Sequence, residues 1–203
     1  MDQCCAVREV PRGQRRALSV VLGINLGMFF LGFGAGLLAH STALLADSVD
    51  MLGDALVYGF SLHVVARGAI WQARAAMVKG VIMAGFGVGV LFEVVAKLMR
   101  GTVPAAEVMA PIGAVALVAN TACLWLLWRR RADDINMRSA WLCSRNDVVA
   151  NVGVLLAAAG VAATGAVWPD IVVGLAIASL FAGSAIGVLR EAGQALRPGA
   201  HAH

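Results

Sequence analysis

Six long apolar runs divide this chain, and short polar or basic stretches separate them. The runs cover roughly 17–38, 43–66, 74–99, 108–128, 138–164 and 169–190. Each reaches the ~20 residues that an α-helix needs to cross ~30 Å of hydrocarbon. Lipid offers no partner to an unpaired backbone group, so each run is predicted to be helical. The first run exceeds the ~7–15 apolar residues of a cleaved signal and reads as a retained span. The expected fold is all-α, a polytopic bundle of six transmembrane helices. The expected division is a tail over 1–16, a membrane domain over 17–190 and a tail over 191–203.

Composition sharpens this. The chain is 60% apolar and only 14% charged, against about 25% charged in a soluble domain. The surplus apolar surface must face a lipid bilayer. Of the 16 Lys and Arg residues, 13 fall on one side of the bundle. They are Arg8, Arg12, Arg15 and Arg16; Arg67, Arg74 and Lys79; Arg129, Arg130, Arg131 and Arg138; and Arg190 and Arg197. Lys97 and Arg100 fall on the other side, and Arg145 lies within the fifth run. The positive-inside rule then puts both termini in the cytoplasm. The same placement excludes nucleic acid as a partner, because such a surface needs its charges gathered on one folded face.

Four polar residues inside these runs form two pairs. Asp50 and Asp54 lie in the second run, and Cys143 and Asp147 in the fifth. Each pair is spaced i, i+4, which puts both side chains on one face of a helix. Acids in hydrocarbon are costly and mark a substrate or ion path. At 1.5 Å per residue, Asp50 and Asp54 sit about 17 and 11 Å from the cytoplasmic boundary. Cys143 and Asp147, climbing from that boundary, sit about 8 and 14 Å from it. Asp50 thus shares a level with Asp147, and Asp54 with Cys143. Opposed antiparallel helices would bring three carboxylates and a thiolate around one point. That ligand set suits a tetrahedral cation such as zinc or cadmium.

Blander roles compete for the neighbours. Asp47 suits an ion pair with Arg145 or a hydrogen bond at the helix face. Cys123 reads as a small buried hydrophobe. Arg145 falls off the ligand face and is expected to snorkel or pair.

The segment STALLADSVDMLGDALVYGFSL resembles the second span of the cation diffusion facilitator family. NMRSAWLCSRNDVVANVGVLLAA is similar to its fifth span, and WPDIVVGLAIASLFAGSAIGVLREA to its sixth. The resemblance implies export of divalent metal ions from the cytoplasm, commonly against protons, by a homodimer in a cell membrane, here the inner membrane of a bacterium. It also implies a transport site with two ligands from each of the second and fifth spans. Asp50, Asp54 and Asp147 match three of these ligands. Cys143 stands where the family usually has His or Asp, and its softer thiolate favours zinc and cadmium over manganese and magnesium. The family usually adds a cytoplasmic metal-binding domain after the sixth span. The 191–203 tail is too short to fold one. Its usual His-rich fourth loop is replaced here by RRRADD.

Other features carry less. Gly32 and Gly36, Gly85 and Gly89, and Gly183 and Gly187 form GxxxG pairs that are expected to serve mainly internal packing. Cys4 and Cys5 suit either metal hand-over or a reactive tail, and His201 and His203 either weak metal binding or a solvated tail. Asn25 and Asn151 suit hydrogen bonds to ligands or between helices. Asp170 is expected to serve the N-terminus of its own helix. No prosthetic group and no catalytic constellation are read, and the four histidines lie at helix ends or in tails. The reading that competes with transport is a membrane protein that stores, senses or hands over metal. A redox protein using Cys4 and Cys5 is a third.

Overall fold

The computed structural model describes residues 12–63, 69–132 and 135–195. Six helices account for most of them: α1 (Arg12–Ala39), α2 (Thr42–His63), α3 (Ala69–Arg100), α4 (Ala106–Trp128), α5 (Ile135–Thr164) and α6 (Trp168–Ala195). They match the six apolar runs with ends shifted by a few residues, and positions 64–66 of the second run lie outside the described residues. The chain is a polytopic all-α membrane protein. Cys4, Cys5, His201, His203, Arg8, Arg67 and Arg197 lie outside the described residues.

Five helices are long and apolar enough to cross a membrane by composition alone. The exception is α2, which carries Asp47, Asp50 and Asp54. Its 22 residues still span about 33 Å at 1.5 Å per residue. Residues 41–49 are all buried, so its neighbours shield this helix from lipid. By contrast, α3 presents Val88, Leu91, Phe92, Val95, Leu98 and Met99 at the surface.

α1 pairs with α2, α4 with α5, and α3 with α6, while α2 also meets α3, α5 and α6. Ala43, Ala46, Ala157, Ala158, Ala178 and Ala185 fill much of the main core, and small side chains let membrane helices approach closely. Gly53 extends this rule. A Cβ there would lie 2.9 Å from Phe181 and 3.1 Å from Met83, so glycine lets these side chains of α6 and α3 pack directly on the α2 backbone.

Among the three GxxxG pairs named above, only Gly32 and Gly36 are internal. Gly32 and Gly36 face Ser48 and Leu45 across the α1–α2 contact, whereas Gly85, Gly89, Gly183 and Gly187 face open space. Internal packing therefore explains one of these three pairs, and Gly23 and Gly27, a fourth pair of this spacing, also face open space.

The connections at one end of the bundle are short. Residues 40–41 join α1 to α2, 101–105 join α3 to α4, and 165–167 join α5 to α6. Gly101 and Gly165 end α3 and α5 with φ of 64° and 61°, a conformation glycine adopts without a Cβ penalty.

That end holds a buried polar cluster. Ser41 caps α2, accepting the Leu44 N–H on Oγ at 3.1 Å. Asp170 accepts the first two orphan N–H groups of the same helix, from Thr42 at 2.7 Å and Ala43 at 3.2 Å. It also accepts the Ser41 hydroxyl at 2.5 Å. Lys97 meets Asp170 at 2.5 Å, with both side chains fully buried, and donates to the His40 carbonyl oxygen. Asp170 does sit in the first turn of α6, but its carboxylate completes the N-terminus of α2. The positive end of that helix and the ammonium group both favour the carboxylate.

Candidate metal centre between helices 2 and 5

The polar residues of α2 recur on one face: Asp47, Asp50, Asp54 and Tyr58. On α5 the matching face carries Ala140, Cys143, Asp147 and Asn151. Two contacts fix how these faces meet. The Asn151 amide donates to Asp47 Oδ1 at 2.6 Å. Eleven residues away on both helices, the Tyr58 hydroxyl lies 3.4 Å from the Ala140 carbonyl oxygen. The antiparallel register is therefore uniform. It sets Asp54 level with Ser144, beside Cys143, and Asp50 level with Val148, beside Asp147. These are the levels expected from depth in the bilayer.

Each level pairs a buried residue with a half-buried one. Asp47, Asp54 and Asp147 are buried, while Asp50 and Cys143 are half-buried. Asp147 lies within electrostatic reach of Asp54, Asp50 and Asp47. Its Oδ2 atom is buried without a hydrogen-bond partner among the described residues. A carboxylate buried among three others calls for positive charge, either protons or a cation. No three His, Cys, Asp or Glu side chains among the described residues converge tightly enough to hold a metal ion as they stand. The structure thus aligns the four candidates by level and face without closing them into a coordination sphere.

Three residues around them were not singled out from the sequence, or were given another role. Tyr58 is the only tyrosine in the chain. It is buried, donates to Asp54 Oδ2 at 3.0 Å, and lies within electrostatic reach of Cys143 and Asp147 as well. Its spacing of four residues after Asp54 was the available signal. Asn120 of α4 donates to Asn151 Oδ1 at 2.9 Å, which turns the Asn151 amide group toward Asp47. Asp47 is therefore held by an asparagine. The ion pair with Arg145 does not form: Arg145 is exposed, with its guanidinium 5.7 Å from the Trp141 ring. Cys123 is buried against Tyr58 and Ala140 in the core. Asn25 bonds back to the Val21 carbonyl oxygen of its own helix.

A membrane bundle with acids aligned across two central helices is the form of an ion-transport domain. Residues 18–197 match the cation efflux transmembrane domain, and the chain belongs to that family. Among curated relatives, it is 26% identical over 198 residues to the zinc transporter ZitB of Escherichia coli, covering 91% of this chain and 63% of that protein. It is 23% identical over 172 residues to the metal cation efflux system protein CzcD of Cupriavidus metallidurans, covering 79% and 54%. It is 25% identical over 170 residues to a cadmium, cobalt and zinc/H(+)-K(+) antiporter of Bacillus subtilis, covering 77% and 55%. The chain thus spans between about half and two thirds of the length of these relatives.

Proposed function

We propose that this chain carries a divalent heavy-metal cation, zinc or cadmium, out of the cytoplasm in exchange for protons. Asp50, Asp54, Cys143 and Asp147 are its ligands. The observation that carries this reading is the α2–α5 register, which levels Asp50 with Asp147 and Asp54 with Cys143. The buried, unpartnered Oδ2 of Asp147 supports it. The relatives named for zinc, cadmium and cobalt point to the same ions.

Proton exchange follows from the ligand chemistry. Carboxylates and a thiol must be deprotonated to coordinate a cation, so metal and protons compete for the same atoms. Helix movement then changes which side the site faces. The concentration of Lys and Arg toward the two termini and the α2–α3 and α4–α5 connections supports a cytoplasmic location for that end. The open glycine pairs on α3 and α6 support assembly with a second copy through these helices.

The test is metal flux into sealed vesicles holding the purified protein, with zinc, cadmium, cobalt and manganese compared. Saturable zinc or cadmium flux that an opposing proton gradient drives is the expected result. Binding without flux would replace transport with storage or hand-over of metal.

A further inference from the structure

The buried cluster at the short-loop end lies far from the candidate metal centre, and it grips the helix that bears two of the ligands. Asp170 accepts the first two N–H groups of α2 and the Ser41 hydroxyl. Lys97 holds both Asp170 and the carbonyl oxygen of His40, the residue that turns the chain from α1 into α2 with φ 51°. One ion pair therefore joins the ends of α2, α3 and α6. Gly174 adds a steric reason for the contact, since a Cβ there would come within 2.9 Å of the Thr42 backbone.

Parting these ends would strip Lys97, Asp170 and the α2 amides of their partners within a lipid-bound core, which is strongly unfavourable. We propose that Lys97 and Asp170 form the pivot of the transport cycle. They keep the ends of α2, α3 and α6 joined while the rest of α2 moves. This inference rests on the transport reading given above.

The lever is long enough to matter. Asp50 and Asp54 lie 8 and 12 residues beyond Thr42, so about 12 and 18 Å along the helix. A tilt of roughly 10° about the pivot would carry them about 2 and 3 Å sideways. Metal–oxygen bonds are about 2.0–2.2 Å long, so such a shift breaks the coordination sphere that α2 shares with α5. Lys97 and Asp170 are positioning residues in this scheme. They touch no cation and act through α2.

Two variants of the full chain test this, each measured for cadmium binding by calorimetry and for cadmium flux in vesicles. In the first, Asp170→Asn keeps the side-chain shape, removes the charge and turns one of the two accepting oxygens into a donor. Flux should fall by about tenfold or more while binding stays within about threefold of the parent. Wild-type flux would overturn the pivot, and so would an equal loss of binding and flux, which marks a merely structural role. The second combines Ser41→Cys, Asp170→Cys and Lys97→Met in a chain that also carries Cys4→Ser, Cys5→Ser and Cys123→Ala. It replaces the polar joint with a disulfide, whose closure a mass shift verifies. A pivot predicts slow flux when reduced and recovery to within about twofold of the parent when oxidised. If these ends separate during the cycle, oxidation will instead arrest flux until a reductant is added, and the proposal fails. A wild-type chain that binds cadmium but shows no flux would refute the transport reading and the pivot with it, whereas the variant outcomes above refute the pivot alone.

Discussion

Buried aspartates occur in two regions of this bundle, and their surroundings differ. Asp170 meets an ammonium group, a hydroxyl and two helix N-terminal amides, so its carboxylate is fully engaged within the protein. Asp147 meets the field of three other carboxylates, and its Oδ2 atom has no hydrogen-bond partner among the described residues. The first arrangement completes the fold. The second leaves a carboxylate that protons or a cation must balance, as the proposed function requires. Burial of an acid in a membrane is therefore a weak sign of function by itself. The partner set around the acid distinguishes a joint from a transport site.

Opposite effects on stability give the largest test of that contrast. Lys97→Ala should destabilise the protein by ~3–5 kcal/mol, because Asp170 is left buried and charged beside a cavity. Asp147→Ala should be neutral or stabilising, since it removes a carboxylate repelled by its neighbours. Denaturation of both variants in the same lipid or detergent decides the matter, and losses of equal size would erase the distinction.

Transport should show the converse order. Asp50→Ala and Asp147→Ala should each reduce saturable metal flux by about 100-fold or more, equivalent to ~2.7 kcal/mol. Both proteins should remain folded in the membrane. Full flux in either variant would remove that residue from the proposed site.

The pH dependence has a definite sign. Each proton displaced on binding strengthens apparent metal affinity by up to about tenfold per pH unit while the ligands are still protonated. Affinity should thus rise with pH and level off once the ligands are deprotonated. Calorimetry in buffers of different ionisation enthalpy would count the released protons.

A smaller shift concerns selectivity. Cys143→Asp gives an all-oxygen ligand set and should move the cadmium-to-manganese preference by about tenfold toward manganese. Cys143→His should keep zinc and lose part of the cadmium preference. Competitive uptake of a metal panel measures both, and an unchanged order would make Cys143 a packing residue.

The sequence carried the fold and the site unequally. Hydropathy located all six helices because lipid imposes one requirement on every span. The i, i+4 pairs and their depths located the α2–α5 register, since helix rise and bilayer thickness are nearly constant. The polar cluster of Ser41, Lys97 and Asp170 was illegible for another reason. Asp170 and Ser41 are 129 residues apart, and Lys97 and Asp170 are 73 apart. Periodicity tells which face of a helix is buried but not which neighbour it meets. Asp170 therefore read as a residue of its own helix end. The same gap hid Asn120, whose role depends on α4 packing beside Asn151. The glycine pairs misled in the other direction, because a GxxxG pattern looks alike whether it faces a neighbour in the same chain or the surface.

Tyr58 offers the finest division between a structural and a functional contact. Its ring belongs to the core beside Cys123 and Leu127, while its hydroxyl donates to Asp54 Oδ2 at 3.0 Å. Tyr58→Phe keeps the ring and deletes the hydroxyl, so packing should survive nearly unchanged. What is lost is a bond that orients the Asp54 carboxylate toward α5. A hydrogen bond to a charged group contributes ~1.5–3 kcal/mol, but the carboxylate retains its coordination to the cation, so only part of this should appear in binding. A net loss near 1 kcal/mol corresponds to metal binding weaker by about fivefold. Maximal flux should change by less than about twofold, because the hydroxyl orients a ligand without moving a helix. Calorimetry and vesicle flux on one preparation separate the two quantities. Tighter binding in Tyr58→Phe would mean that the hydroxyl competes with the cation for Asp54. A collapse of flux at unchanged affinity would instead make the Tyr58–Ala140 approach part of the moving contact between α2 and α5.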